Sequence, residues 1–174
     1  MCALDQKKQL DTAFSAVSDS QIHTLVLGSM PSQLSLQNNQ YYGNPQNAFW
    51  KIMAMLFEFS DQLPYHERTA LLLRRGVGIW DVIAECHRPG SMDSAIDTSS
   101  VQVNDFGIFF AQHRLIRKVL FNGQAAYKTF NKHLGKTYLV EKSIDAHVLP
   151  STSPAYAALS FEGKYDVWRE ALSA

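Results

Sequence analysis

The chain has 174 residues, 46% of them apolar and 18% charged, and its 16 Lys and Arg cancel its 16 Asp and Glu. That is the composition of one globular domain over residues 1–174 with enough length to bury a core; it excludes a disordered chain and a general polyanion coat, so any grip on phosphate must rest on a few local charges. Cys2 and Cys86 alone cannot build a disulfide framework or a four-thiolate cluster, and there is neither a basic-then-apolar leader nor an apolar run of ~18 residues, which points to a cytoplasmic protein without membrane contact.

In chain order, Leu10, Ala13, Phe14 and Val17 recur at i, i+3, i+4, i+7 and predict a first helix. Thr24–Leu27 are β-formers, and Gly28-Ser29-Met30-Pro31 permits a sharp exit into a long polar loop with adjacent tyrosines. A second helix is predicted from near Asn47, burying Trp50, Met53, Ala54 and Phe57; on spacing alone Asn47 is its N-cap. Pro64 opens a third helix that stops at Arg74-Arg75-Gly76, and VGIWDVI (77–83) is a second strand. Asp81, His87 and Asp93 follow; Asp residues in such Ser/Gly-rich surroundings ordinarily cap or turn the backbone. A fourth helix starts at Asn104 and Asp105, IRKVLF (116–121) is a third strand, and Asn122-Gly123 turns into a helix that ends at Gly135. Tyr138–Val140 is expected as a short strand. The last strand, Ala146–Leu149, leads into PSTSPAYAAL, and a closing helix shares Tyr165, Trp168 and Leu172 on one face.

Alternating strands and helices predict an α/β fold: three α/β/α layers around a central, mainly parallel four-stranded sheet. The strands' C-terminal ends then share one edge, where GSMPS, SMDS, FNG and PSTSP meet. Phosphate-loop, dinucleotide, zinc-protease and nucleophile-elbow motifs are absent, and the six histidines lack ligand spacing, so no metal or cofactor is expected. His147 reads as a satisfied sheet histidine. Arg114, Arg117, Lys118, Lys128 and Lys132 read first as a solvated face and second as a phosphate-facing stripe.

The segments GSMPS, SLQNNQYYGNPQNAFW, GIWDVI with SMDSAI, VLFNG and VLPSTSPA resemble the uracil-DNA glycosylase superfamily, in particular its hypoxanthine (deoxyinosine) branch, over nearly the whole chain. The resemblance implies a base-excision repair enzyme on a uracil-DNA glycosylase-like fold, which flips a deaminated base of DNA, hypoxanthine or uracil, into a pocket and leaves an abasic site. It puts the catalytic amide at Asn47, because Met30 stands where related branches hold their water. Gly28, Ser29, Met30, Pro31, Tyr41, Tyr42, Asn44, Phe49 and Asn122 then form the base pocket, with Tyr42 stacking on the base. Ser151, Thr152, Ser153 and Pro154 become the DNA-contact turn, and Tyr156 either the wedge or a packing residue. Leu149 replaces the histidine of uracil-specific relatives, and Asn44 and Tyr156 also depart from the branch pattern. The implied enzyme is monofunctional and monomeric, nucleoid-associated in a bacterium. Met30 and Leu149 keep open a binding module that has lost catalysis, and hydrolysis of free nucleosides is a third reading.

Overall fold

The computed structural model describes residues 9–173, so Cys2 lies outside the described residues. Its elements are β1 (Asp11–Thr12), β2 (Thr24–Gly28), α1 (Gln33–Asn38), α2 (Phe49–Phe57), α3 (Tyr65–Arg74), β3 (Val77–Asp81), β4 (Ile83–Cys86), β5 (Gln102–Val103), α4 (Phe106–Gln112), β6 (Lys118–Asn122), α5 (Gln124–Leu134), α6 (Tyr138–Glu141), β7 (Asp145–Leu149) and α7 (Phe161–Ser173). Four strands form a wholly parallel sheet in the order β3-β2-β6-β7, and a small antiparallel sheet, β1-β4-β5, stands beside it.

Helices cover both faces of the parallel sheet. Leu27 pairs in register with Trp80 and Phe121, so these side chains share a face. There Trp80 meets Phe106 and Phe109 of α4, and Phe121 meets Tyr127 and Phe130 of α5. On the opposite face Phe49 and Trp50 of α2 contact Trp168 of α7 and Tyr65 of α3 edge-on. Phe49, Phe121 and Phe130 are fully buried, each contributing roughly 1.5–3 kcal/mol of transfer free energy.

Four expectations are corrected. The Leu10–Val17 segment is extended, not helical: β1 pairs with β4, and Val17 exchanges N–H···O bonds of 2.9 and 3.0 Å with Ile79. Its apolar residues cover the open edge of β3, and closing that edge outweighs the helical spacing. Tyr138–Val140 is helical, because a short apolar run has no strand signature of its own and Leu139 is buried from within α6. The polar loop after β2 contains α1, capped by Ser32, whose hydroxyl accepts from the Ser35 N–H at 3.1 Å, and closed by Asn39 in the left-handed region (φ 52°). His147, expected as a satisfied sheet histidine, is exposed on edge strand β7. No helix among the described residues is long and apolar enough to cross a membrane.

Candidate active site

The last residues of the four strands build the floor. Gly28 pairs with Asp81 and Asn122 with Leu149, each one step beyond the Leu27 and Phe121 pairings, so all four point to the face that carries α2 and α7. Above them lies a cavity of about 100 Å³. That is well below the ~300–1,000 Å³ of sites for drug-sized ligands and is in keeping with one base.

Gly28, Ser29, Met30, Pro31, Tyr41, Tyr42, Asn47, Asn122, Ser151, Thr152 and Ser153 all line it, drawn from four separated stretches of chain. Two expected pocket residues do not. Phe49 is fully buried behind Tyr42, its ring stacked on the tyrosine at 4.0 Å and 27°. Asn44 lines a neighbouring groove with Lys51 and Arg68, its side-chain Oδ1 accepting the Gln46 N–H at 2.9 Å. Thr152, expected on the DNA surface, is fully buried. Its hydroxyl accepts from Asn122 Nδ2 and its N–H donates to Asn122 Oδ1, both at 2.9 Å, so Asn122 ties the end of β6 to the 151–153 turn. Pro154 and Tyr156 are exposed beyond the cavity.

Asn47 stands at the start of α2, where its Oδ1 accepts the Phe49 N–H at 2.9 Å. A carbonyl oxygen has two lone pairs, so the cap leaves one unshared. The next residue crosses the cavity mouth, the Ala48 N–H donating to Thr152 O at 2.9 Å. Tyr42 has a left-handed backbone, φ 54°, which for a non-glycine costs of order 1–3 kcal/mol and recurs at functional positions. Its ring is partly exposed, but its hydroxyl is buried and unpartnered; burial and then the charge of Asp81 push the phenol above its ordinary range, so it stays a donor. Tyr41 is a pillar: its hydroxyl donates to Phe14 O and Ser15 O, and its carbonyl accepts from Trp50 Nε1 at 2.9 Å.

Asp81 and Asp93, titratable candidates that the sequence favours as cap or turn residues, both line the cavity. Asp93 accepts from Ser29 Oγ at 2.7 Å at the rim. Asp81 is 3% exposed at the floor, with Oδ2 unpartnered. Burial, followed by the charge of Asp93, raises its carboxyl to about 8 against the opposing pull of Arg88. The chain carried a partial signal, an Asp closing an otherwise apolar strand. Arg88 was not anticipated at all; its buried guanidinium donates to Pro31 O, Ser91 O and Asp11 Oδ2, stapling the first loop from behind. Helix α7 does the same for the last loop, Lys164 Nζ donating to Ser153 O at 3.1 Å and Trp168 Nε1 to Pro150 O at 3.0 Å. Arg114, Arg117 and Lys118 sit at the opposite end of β6 from the cavity, Arg117 bonded to Arg114 O and Ile116 O and Lys118 to Ala171 O. They cannot flank its mouth.

No family model matches the chain. A hypoxanthine DNA glycosylase of Methanosarcina acetivorans is 34% identical over 145 residues, 82% of this chain and 85% of the relative. One from Methanosarcina barkeri is 34% identical over 119 residues, 68% of this chain and 72% of the relative. The solution structure of a candidate uracil DNA glycosylase of M. acetivorans superposes with a TM-score of 0.77 at 29% identity, covering 95% of this chain and all of that one. With 34% identity over 82% of its length, the chain belongs to the hypoxanthine DNA glycosylase family and has the uracil-DNA glycosylase-like fold.

Proposed function

We propose that the chain excises hypoxanthine from DNA by hydrolysing the N-glycosidic bond of a flipped deoxyinosine, leaving an abasic site. The observation that carries this reading is a base-sized cavity entered by an amide, Asn47, whose carbonyl is pinned by one bond and has a lone pair left over. Breaking the bond builds positive charge on the sugar and negative charge on the base, so a placed water and donors to the base suffice without a strong general base. Asn47 Oδ1 holds the water, and the backbone N–H groups of Ser29 and Met30 face the base's one oxygen, O6. Tyr42 stacks on the base with the ring face that Phe49 does not cover, an interaction worth ~1–3 kcal/mol. Outside, the Ser151 and Ser153 hydroxyls accept backbone N–H bonds and keep their own hydrogens for phosphate, while Tyr156 fills the gap left in the duplex.

No lysine lines the cavity among the described residues. The enzyme is therefore read as monofunctional, and trapping of a covalent DNA adduct by borohydride would contradict that. It is also read as acting as a monomer. The test is incubation with duplexes carrying a single hypoxanthine, uracil, xanthine or mismatched thymine, followed by alkaline cleavage of abasic sites. Product from the hypoxanthine duplex is expected. The apolar Met30 and Leu149 favour a second reading, a DNA-binding module without turnover, and retained affinity with no product from any duplex would establish it. Release of hypoxanthine from free inosine would instead mark a nucleoside hydrolase.

A further inference from the structure

The excision chemistry above leaves the Asp81 carboxyl without a task. It is buried on the cavity floor with Oδ2 unpartnered, and the Tyr42 hydroxyl beside it is equally unpartnered. A Cβ at Gly28 would lie 2.4 Å from Asp81 Oδ1 and 3.3 Å from the Tyr42 oxygen, so the backbone is bare there to let the carboxyl in. Burying an ionised carboxylate unpaired is strongly unfavourable, and only the charge of Arg88 opposes it, in part. The Arg88 guanidinium lies outside the cavity lining, its terminal nitrogens bonded to Pro31 O, Ser91 O and Asp11 and its Nε without a partner; among the described residues no cation lines the cavity, and Asp93 adds like charge from the rim. The remaining groups acting on it are the phenols of Tyr41, Tyr42 and Tyr65. A carboxyl kept for structure is tied down by hydrogen bonds; one buried, unpaired and open to a base-sized cavity is held for a ligand.

We propose that Asp81 is a neutral carboxylic acid that reads the lactam edge of the flipped base, its O–H donating to the O6 carbonyl and its own carbonyl accepting the adjacent N1–H. The proposal rests on the reading of the cavity as a hypoxanthine site. An ionised carboxylate offers acceptors alone and would set lone pair against lone pair at O6. As the C1′–N9 bond breaks, its electron pair leaves with the purine and spreads onto O6, and the bond from Asp81 tightens. The water oxygen bonds to C1′, the water's proton balances the charge on the base, and Asp81 keeps its own proton. Leu149, at the other end of the floor, can make no such donation. With its carboxyl raised to about 8, Asp81 is mostly in the required form at neutral pH.

Single-turnover excision from a deoxyinosine duplex, measured on both sides of pH 8, tests this in wild type, Asp81→Asn and Asp81→Leu. The wild-type rate is expected to fall as pH rises through about 8. Asp81→Asn, neutral at every pH and still donor and acceptor, should lose that alkaline limb, and Asp81→Leu should drop about 10²–10³-fold. A limb that persists in Asp81→Asn comes from the base's own N1–H and overturns the proposal, as does wild-type rate in Asp81→Leu. Should Asp81→Leu fail to fold, the ¹³C resonance of the wild-type Asp81 carboxyl decides: a midpoint near 8 supports the proposal, and one in the ordinary Asp range defeats it. If wild type releases no hypoxanthine from DNA, the excision reading fails separately, and free hypoxanthine, titrated while that same resonance is followed, shows whether the acid still binds a lactam.

Discussion

In the proposed function Asn47 has two duties through one oxygen, capping α2 and holding the water, and they separate on mutation. Asn47→Ala removes the bond to the Phe49 N–H, costing about 1 kcal/mol and a Tm drop of roughly 2–4 °C in a chain of this size. The same change is expected to slow excision at least ~10²-fold while DNA affinity in a filter-binding assay stays near wild type; turnover like wild type would sink the assignment. Asp81 makes the opposite bargain with stability. Its carboxyl rises from an ordinary 3.8 to about 8 on folding, so the folded state binds the extra proton between those values. Its contribution to stability is complete below the unfolded value and is lost as pH rises through the folded one. Asp81→Asn should therefore raise Tm more at pH 8 than at pH 4 in calorimetry, and a constant difference would refute the shift. At this scale the chain spelled out Asn47, Tyr42 and the Gly28–Pro31 turn, because each sits in a contiguous motif. It hid Asp81 and Arg88, since what isolates one and employs the other is a set of contacts with residues some 50 or more positions away in sequence.

The elements around the mouth are held by side chains reaching in from behind. Helix α7 secures the last turn through Lys164 to Ser153 O and Trp168 to Pro150 O, and Asn122 grips Thr152 from the sheet. Lys164→Met removes the first of these clamps without touching the cavity lining. It should weaken binding to abasic-site DNA several-fold, the cost of one charge-assisted hydrogen bond, while circular dichroism remains unchanged; unaltered affinity would mean the turn is rigid without it. The four parallel strands, α2–α5 and α7 were legible from periodicity and caps; β4, which the sequence merges with β3, and β5 were not, nor were three further segments. Residues 10–17 carry helical spacing, but the exposed edge of β3 recruits them; α1 is six residues long and polar; and Tyr138–Val140 is too short for its period to show.

For the molecule as a whole, a formal charge of zero means that DNA is not drawn in by a general field, and the contacts at the mouth must define the footprint. The cations at the start of β6 lie at the wrong end of the sheet for that. Reversing Arg117 and Lys118 to Glu should leave the slope of log Kd against log salt unchanged, since that slope counts neutralised phosphates; a shallower slope would move the footprint to that edge. The parallel architecture and the meeting of loops along one edge followed from the alternation of elements, but how closely two walls of the mouth depend on each other did not. The Ala48 N–H on one wall is satisfied by Thr152 O on the other, and by nothing in its own helix. Its exchange with deuterated solvent consequently records separation of the two walls, giving a built-in gauge of how often the mouth gapes without substrate and of how firmly a bound base holds it shut.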